Sequence, residues 1–214
     1  LLVHWDIESG EELNRKERAD ISVAYDIALS PDGSSLYFVS FWTHMFQFDI
    51  ETLTELKSFP LPDANEWLLS IAVSPDGQRA LAGGDLGDIV LFDLDTGEVI
   101  RRYTQGSVTE GLDFSADGER FVSASTDQTL VLWDVATGEV IQTFNGHAAS
   151  VVDVAFTSDE NQIISASADG TLRLWDVALG EALRTFSEHS AWVRAITLSP
   201  DGQLAYSAAD DGTV

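Results

Sequence analysis

A chain of 214 residues, 44% of them hydrophobic, can bury a core, and a formal net charge of −25 repels nucleic-acid phosphates and anionic lipid unless a local arginine cluster overrides it. The absence of cysteine excludes disulfides, thiolate metal sites and a cysteine nucleophile, and no apolar run approaches the length of a membrane span. Lys16 and Lys57 are the only lysines beside 36 acidic residues, a balance that reads either as plain solubility or as adaptation to high salt.

From the N-terminus, His4-Trp5-Asp6 opens a series continued by Gln47-Phe48-Asp49, Leu91-Phe92-Asp93, Leu132-Trp133-Asp134 and Leu174-Trp175-Asp176. Their aspartates stand 43, 44, 41 and 42 residues apart. A period in the low forties marks an array of similar units, none of which buries its hydrophobic face alone. Two turn signals keep the same period. Ser30-Pro31-Asp32-Gly33, Ser74-Pro75-Asp76-Gly77, Ser115-Ala116-Asp117-Gly118 and Ser199-Pro200-Asp201-Gly202 each lie between apolar runs, with Thr157-Ser158-Asp159-Glu160 as a degenerate copy. Proline presets one turn dihedral and Asp-Gly supplies the positive φ that hairpins need. Gly-Glu steps at Gly10, Gly97, Gly138 and Gly180 mark a second hairpin turn per unit.

Between the turns lie short runs of β-branched and aromatic residues, which is strand chemistry. In the clearest unit strands are predicted near 151–156, 162–167, 171–175 and 182–186, with a third turn at Asp169-Gly170. Residues 11–19 are charged enough to look helical, but their phase predicts an outermost strand and the loop after it. No segment sustains a 3.6-residue apolar period.

These three phased signals resemble the WD-repeat β-propellers, and the resemblance covers the whole chain. It implies an all-β fold of four-stranded antiparallel blades around a central channel. The blades are expected at 20–59, 60–103, 104–144 and 145–186, with partial blades at 1–19 and 187–214. Beginning at Leu1 rather than Met, the chain is expected to be a piece of a longer protein, an arc of a seven-bladed ring; pairing of the two half-blades into a fifth blade is the alternative. The family pattern also implies a buried hydrogen-bonded chain through His147, Ser165, Asp169 and Trp175. One unit has Gln105 where histidine is expected, beside Ser123, Asp127 and Trp133. Another has His189, Ser207 and Asp211 without its tryptophan. Phe48 and Phe92 carry no donor, so their blades are expected to rely on apolar packing.

Catalytic candidates are weak. The four histidines, His4, His44, His147 and His189, are spread over different units. The serines of 123–125 and 165–167 lack a base nearby in sequence, Asp93 to Glu98 has the wrong spacing for a calcium loop, and no glycine-rich phosphate cradle opens a helix. Arg101-Arg102 on an outer strand is too little for a nucleic-acid track. No metal, cofactor or catalytic residue is therefore assigned. By family resemblance, residues around the start of each innermost strand and before the structural aspartate face the rim where other proteins bind. Those positions are Val23 and Tyr25, Trp67 and Leu69, Val108 and Glu110, Ser150 and Val152, Trp192 and Arg194, with Thr126, Ala168 and Asp210. Trp67 and Trp192 share one phase, each eight residues before a turn proline. Aromatic and arginine side chains dominate interface energetics, so Trp67, Trp192 and Arg194 lead, followed by Tyr25, Glu110, Leu69 and Asp210. Coverage of the blade seam is the competing role for the two tryptophans.

The expected function is a non-catalytic interaction scaffold for protein or peptide partners, with no nucleic acid or membrane bound. A soluble chain is expected, with the cytoplasm favoured, monomeric as the complete propeller. The turn chemistry is similar to that of bacterial WD-repeat proteins, which implies regulation of an attached signalling domain such as a kinase or ATPase. The alternative is a propeller enzyme, a hydrolase or oxidoreductase, with a channel site. Such a site needs converging polar residues, and the inner positions Asp26, Ser70, Gly111, Asp153 and Ala195 are small and mixed.

Overall fold

The computed structural model describes residues 2–16, 23–40, 44–61 and 67–214, and every regular element among them is a strand. The predicted loop at 17–19 lies outside these residues. β1 (Leu2–Trp5) and β2 (Glu12–Lys16) form a two-stranded sheet. Four four-stranded antiparallel blades follow. The first holds β3 (Ala24–Leu29), β4 (Ser35–Ser40), β5 (His44–Asp49) and β6 (Glu55–Pro60). The second holds β7 (Leu68–Val73), β8 (Arg79–Gly84), β9 (Asp88–Asp93) and β10 (Val99–Thr104). The third holds β11 (Thr109–Phe114), β12 (Arg120–Ser125), β13 (Leu130–Asp134) and β14 (Val140–Phe144). The fourth holds β15 (Val151–Phe156), β16 (Gln162–Ser167), β17 (Leu172–Asp176) and β18 (Ala182–Phe186), and a last sheet pairs β19 (Val193–Leu198) with β20 (Ala205–Ala209). The third strand of the clearest unit sits one residue later than its composition predicts.

Each predicted turn has a visible mechanism. In Ser74-Pro75-Asp76-Gly77, Gly77 takes φ 69° and its N–H donates to the Ser74 carbonyl at 2.8 Å. The Ser74 hydroxyl donates to Asp76 and accepts from the Arg79 N–H at 2.9 Å, so the turn closes on its own side chains. The degenerate copy keeps the hydroxyl-to-aspartate bond and the closing backbone bond, with Glu160 at φ 58° where glycine would sit. The aspartate of each Trp-Asp or Phe-Asp step organises the second turn. Asp93 Oδ1 accepts from the Thr96 N–H at 2.7 Å, and Gly97 closes the loop at φ 83°.

The core lies between blades rather than within them. Leu81, Ile89, Leu91 and Tyr103 of the second blade pack with Phe114, Phe121, Val131 and Trp133 of the third. Leu132 and Phe144 of the third pack with Val154, Ile163 and Trp175 of the fourth. The inner strands β3, β7, β11, β15 and β19 therefore lie side by side. The sheets β1–β2 and β19–β20 stay separate among the described residues. Ile27 and Leu29 on β3, and Tyr206 on β20, remain exposed at the two ends of this stack.

Among the described residues three buried side-chain atoms lack a hydrogen-bond partner, on Ser40, Thr109 and Arg173, and the threonine lies on an inner strand. Thr109 is fully buried and its hydroxyl finds no hydrogen-bond partner, whereas Val151 and Val193 stand at the matching register. Thr109→Val keeps the shape and removes the orphan, so it is expected to raise stability by about 1 kcal/mol, read as a higher denaturant midpoint at unchanged slope. An unchanged or lower midpoint would show that the hydroxyl is not a liability.

Candidate partner-binding site

In all five inner strands the pairing with the next strand slips at the same phase. The slips lie between Ala24 and Asp26, Leu68 and Ser70, Thr109 and Gly111, Val151 and Asp153, and Val193 and Ala195. A bulge leaves one residue unpaired and turns its side chain away from the regular alternation. The residues so released are Tyr25, Leu69, Glu110, Val152 and Arg194. All five line one open recess of about 600 Å³, together with Trp192, Thr126 and Ser150.

The recess brings together Tyr25, Leu69, Glu110, Trp192 and Arg194 from the candidates predicted by phase. Asp210 joins them through Arg194, which donates from Nε to Oδ1 at 2.9 Å and from Nη2 to Oδ2 at 2.6 Å. The same guanidinium lies over the Trp192 ring, 4.6 Å from its centroid. The Arg194 hydrogen bond holds the Asp210 carboxyl below the usual range. Trp67 does not line the recess despite sharing the phase of Trp192. Its backbone is held at the adjoining turn, where its N–H donates to Asp85 Oδ1 at 2.8 Å and its carbonyl accepts from the Asp85 N–H. Burial pushes the Glu110 carboxyl up, opposed by the charge of Arg194.

Inner aspartates clip neighbouring blades to one another. Asp26 Oδ2 accepts from the Ile71 N–H at 2.9 Å, Asp113 Oδ2 from the Phe156 N–H at 2.8 Å and Asp153 Oδ2 from the Ile196 N–H at 2.8 Å. Asp113 stands two residues beyond the phase of Asp26 and Asp153, so phase alone misses it. The signal available in sequence is a carboxylate set among apolar neighbours in mid-strand. Burial pushes Asp113 up to about 7 against its two backbone donors, with the Asp153 charge adding to the rise. Burial likewise raises Asp153 to about 6, and Asp26 moves in the same direction.

Outside the recess the fourth blade contains a continuous polar chain. Trp175 Nε1 donates to Ser165 Oγ at 2.8 Å, Ser165 Oγ lies 2.8 Å from His147 Nε2, and His147 Nδ1 lies 2.9 Å from Asp169 Oδ2. Ser165 thus has beside it a base that its neighbours in sequence do not supply, because His147, eighteen positions earlier, folds back onto it. The connectivity is that of a Ser-His-Asp triad, yet Ser165 is fully buried and its oxygen already receives the indole N–H. Burial lowers the His147 pKa against the pull of Asp169, which keeps the ring neutral and able to link hydroxyl to carboxylate. In the third blade Gln105 replaces histidine: its Oε1 accepts from Ser123 and its Nε2 reaches Thr129 at 3.3 Å, which in turn donates to Asp127. His189, Ser207 and Asp211 repeat the triad connectivity without an indole. Among the described residues no group of three metal-ligating side chains gathers, and no helix is long and apolar enough to cross a membrane.

The family model for the WD domain, G-beta repeat, matches residues 98–134, 138–176 and 180–214, just over half of the chain. A similar curated protein is GID complex subunit 7 of Schizosaccharomyces pombe, 31% identical over 109 residues. That match covers 48% of this chain and only 20% of the relative, about a fifth of its length. With four-stranded blades, cores shared between them and repeat units matching that model, the chain belongs to the WD40 repeat family.

Proposed function

We propose that this chain is a non-catalytic scaffold that holds protein or peptide partners in the recess at the inner-strand bulges. The observation that carries this reading is the bulge itself. One backbone irregularity, repeated five times, delivers a tyrosine, a leucine, a glutamate, a valine and an arginine to a single concave surface. The blades beneath are near copies, so chemical variety is concentrated where the backbone presents it. A relative named as a complex subunit supports a place in a larger assembly. Regulation of an attached signalling domain is the setting that the likeness to bacterial repeat arrays favours. A channel enzyme would draw on Asp26 and Asp153, but both oxygens of each accept backbone N–H bonds, which suits anchoring better than proton transfer.

Trp192→Ala and Arg194→Ala test the reading. Both side chains are about half exposed, so each variant is expected to unfold within about 0.5 kcal/mol of the parent. Partner capture is expected to weaken by roughly tenfold or more, the behaviour of an interface anchor. Capture that survives both substitutions would remove the recess as the docking site.

A further inference from the structure

Beyond holding a peptide, the recess selects the charge of what enters it: we infer that its occupant is a protein segment presenting a lysine or arginine side chain to Glu110. The inference rests on the scaffold reading above and adds the chemistry of the partner. Among the described residues Arg194 is the one basic residue lining the recess, and its guanidinium is committed to Asp210 through two hydrogen bonds and to the Trp192 face by stacking. The acidic residues there are Asp26, Asp153 and Glu110. Asp26 and Asp153 are each bound by two backbone N–H groups.

Glu110 differs from both. It sits at a bulge, half-buried, and among the described residues no hydrogen bond or ion pair reaches its carboxylate. Arg194 acts on Glu110 through its charge without bonding to it, so this partly desolvated acid keeps its acceptor capacity and gains most from a cationic donor, while an acidic ligand there would meet three carboxylates. The charge of −25 on the whole chain draws basic segments toward the surface and slows acidic ones. Tyr25, Leu69 and Val152 around the same opening supply apolar and aromatic area for the flanking residues and the methylene stem of the cation.

A display library of random twelve-residue peptides, selected in parallel on the parent chain, on Glu110→Gln and on Trp192→Ala, tests this. The parent is expected to enrich peptides with lysine or arginine at one fixed position. Glu110→Gln, which keeps shape and removes charge, is expected to lose that enrichment and to bind the selected peptides roughly tenfold or more weakly. Raising salt from about 0.05 M to about 0.5 M should weaken the parent more steeply than Glu110→Gln, which keeps the long-range attraction of the acidic chain but not the local contact. Peptides that depend on Trp192 but show no basic preference would overturn the charge inference and leave the scaffold reading standing. Peptides enriched equally on all three proteins, or none at all, would overturn both.

Discussion

Ser165→Ala is expected to cost the protein about 2–4 kcal/mol, and Trp175→Phe about 1–3 kcal/mol, with the serine substitution the more damaging of the two. The order follows from connectivity. Ser165 Oγ sits at the centre of the fourth blade's polar chain, taking the indole proton on one side and meeting His147 Nε2 on the other. Alanine orphans a buried donor and a buried acceptor at once. Phenylalanine at 175 removes only the donor, after which the hydroxyl can still serve His147, and it leaves a small void beside Phe144. The chain contains its own control. Where Phe48 and Phe92 replace the tryptophan, the residues at the register of Ser165 are Phe38 and Ala82, so no hydroxyl stands at that position. Phe38 and Phe48 instead pack with ring centroids 5.3 Å apart, and Phe92 meets Phe59 at 5.9 Å. Denaturant midpoints of the two single variants measure the order; equal losses, or a greater loss for Trp175→Phe, would mean that packing rather than hydrogen bonding dominates this site.

The fold was legible because its signals are local and repeated. Turn residues act within a few positions of one another, and the Trp-Asp step puts a core plug beside a turn-organising carboxylate in adjacent residues. The recess was legible only in part. Tyr25, Leu69, Glu110, Trp192 and Arg194 are placed by phase, but what unites five of its side chains is a register slip in the inner strands. No residue type marks that slip, since tyrosine, leucine, glutamate, valine and arginine all occupy it. Trp67 shows the limit of phase as a guide: it shares its repeat position with Trp192, yet it does not line the recess. Asp26 and Asp153 are placed at inner positions by phase, but Asp113 escaped it for a related reason. Past a bulge the alternation of faces restarts, so Asp113, two positions further along than Asp26, makes the same kind of clip to the next blade. Gln105 shows the converse, a chemically different residue continuing the network because an amide can also give and take.

Acidification from about pH 8 to about pH 5 is expected to stabilise the protein by roughly 1–3 kcal/mol, the reverse of ordinary acid unfolding. Asp113, pushed up to about 7 chiefly by burial, and Asp153, raised to about 6 for the same reason, bind protons in the folded state that the unfolded chain releases down to about pH 4. Between those limits the two aspartates make the native state hold more protons, so their contribution falls as pH rises and grows as pH is lowered; His147, whose pKa burial lowers, offsets part of this gain below about pH 6.5, where the unfolded imidazole takes a proton that the folded ring refuses. Protonation weakens each clip without abolishing it, because the hydroxyl oxygen is a poorer acceptor than a carboxylate oxygen, while the cost of the buried charge is removed. Below about pH 4 the opposite class takes over. Hydrogen bonds from Ser30 and Ser34 hold Asp32 down at about 2, and Asp169 is likewise depressed, since Thr171, Ala148 and His147 outweigh its burial. Protonating these groups removes stability, so the profile is a dome with its maximum near pH 5. Asp113→Asn should flatten the alkaline limb by about half, without itself being the more stable protein at neutral pH, because its amide turns one of two acceptors into a donor facing an N–H. Unfolding free energies that decline steadily from about pH 8 to about pH 5 would show that the inner carboxylates stay ionised in the folded state and that the blade clips are charged throughout.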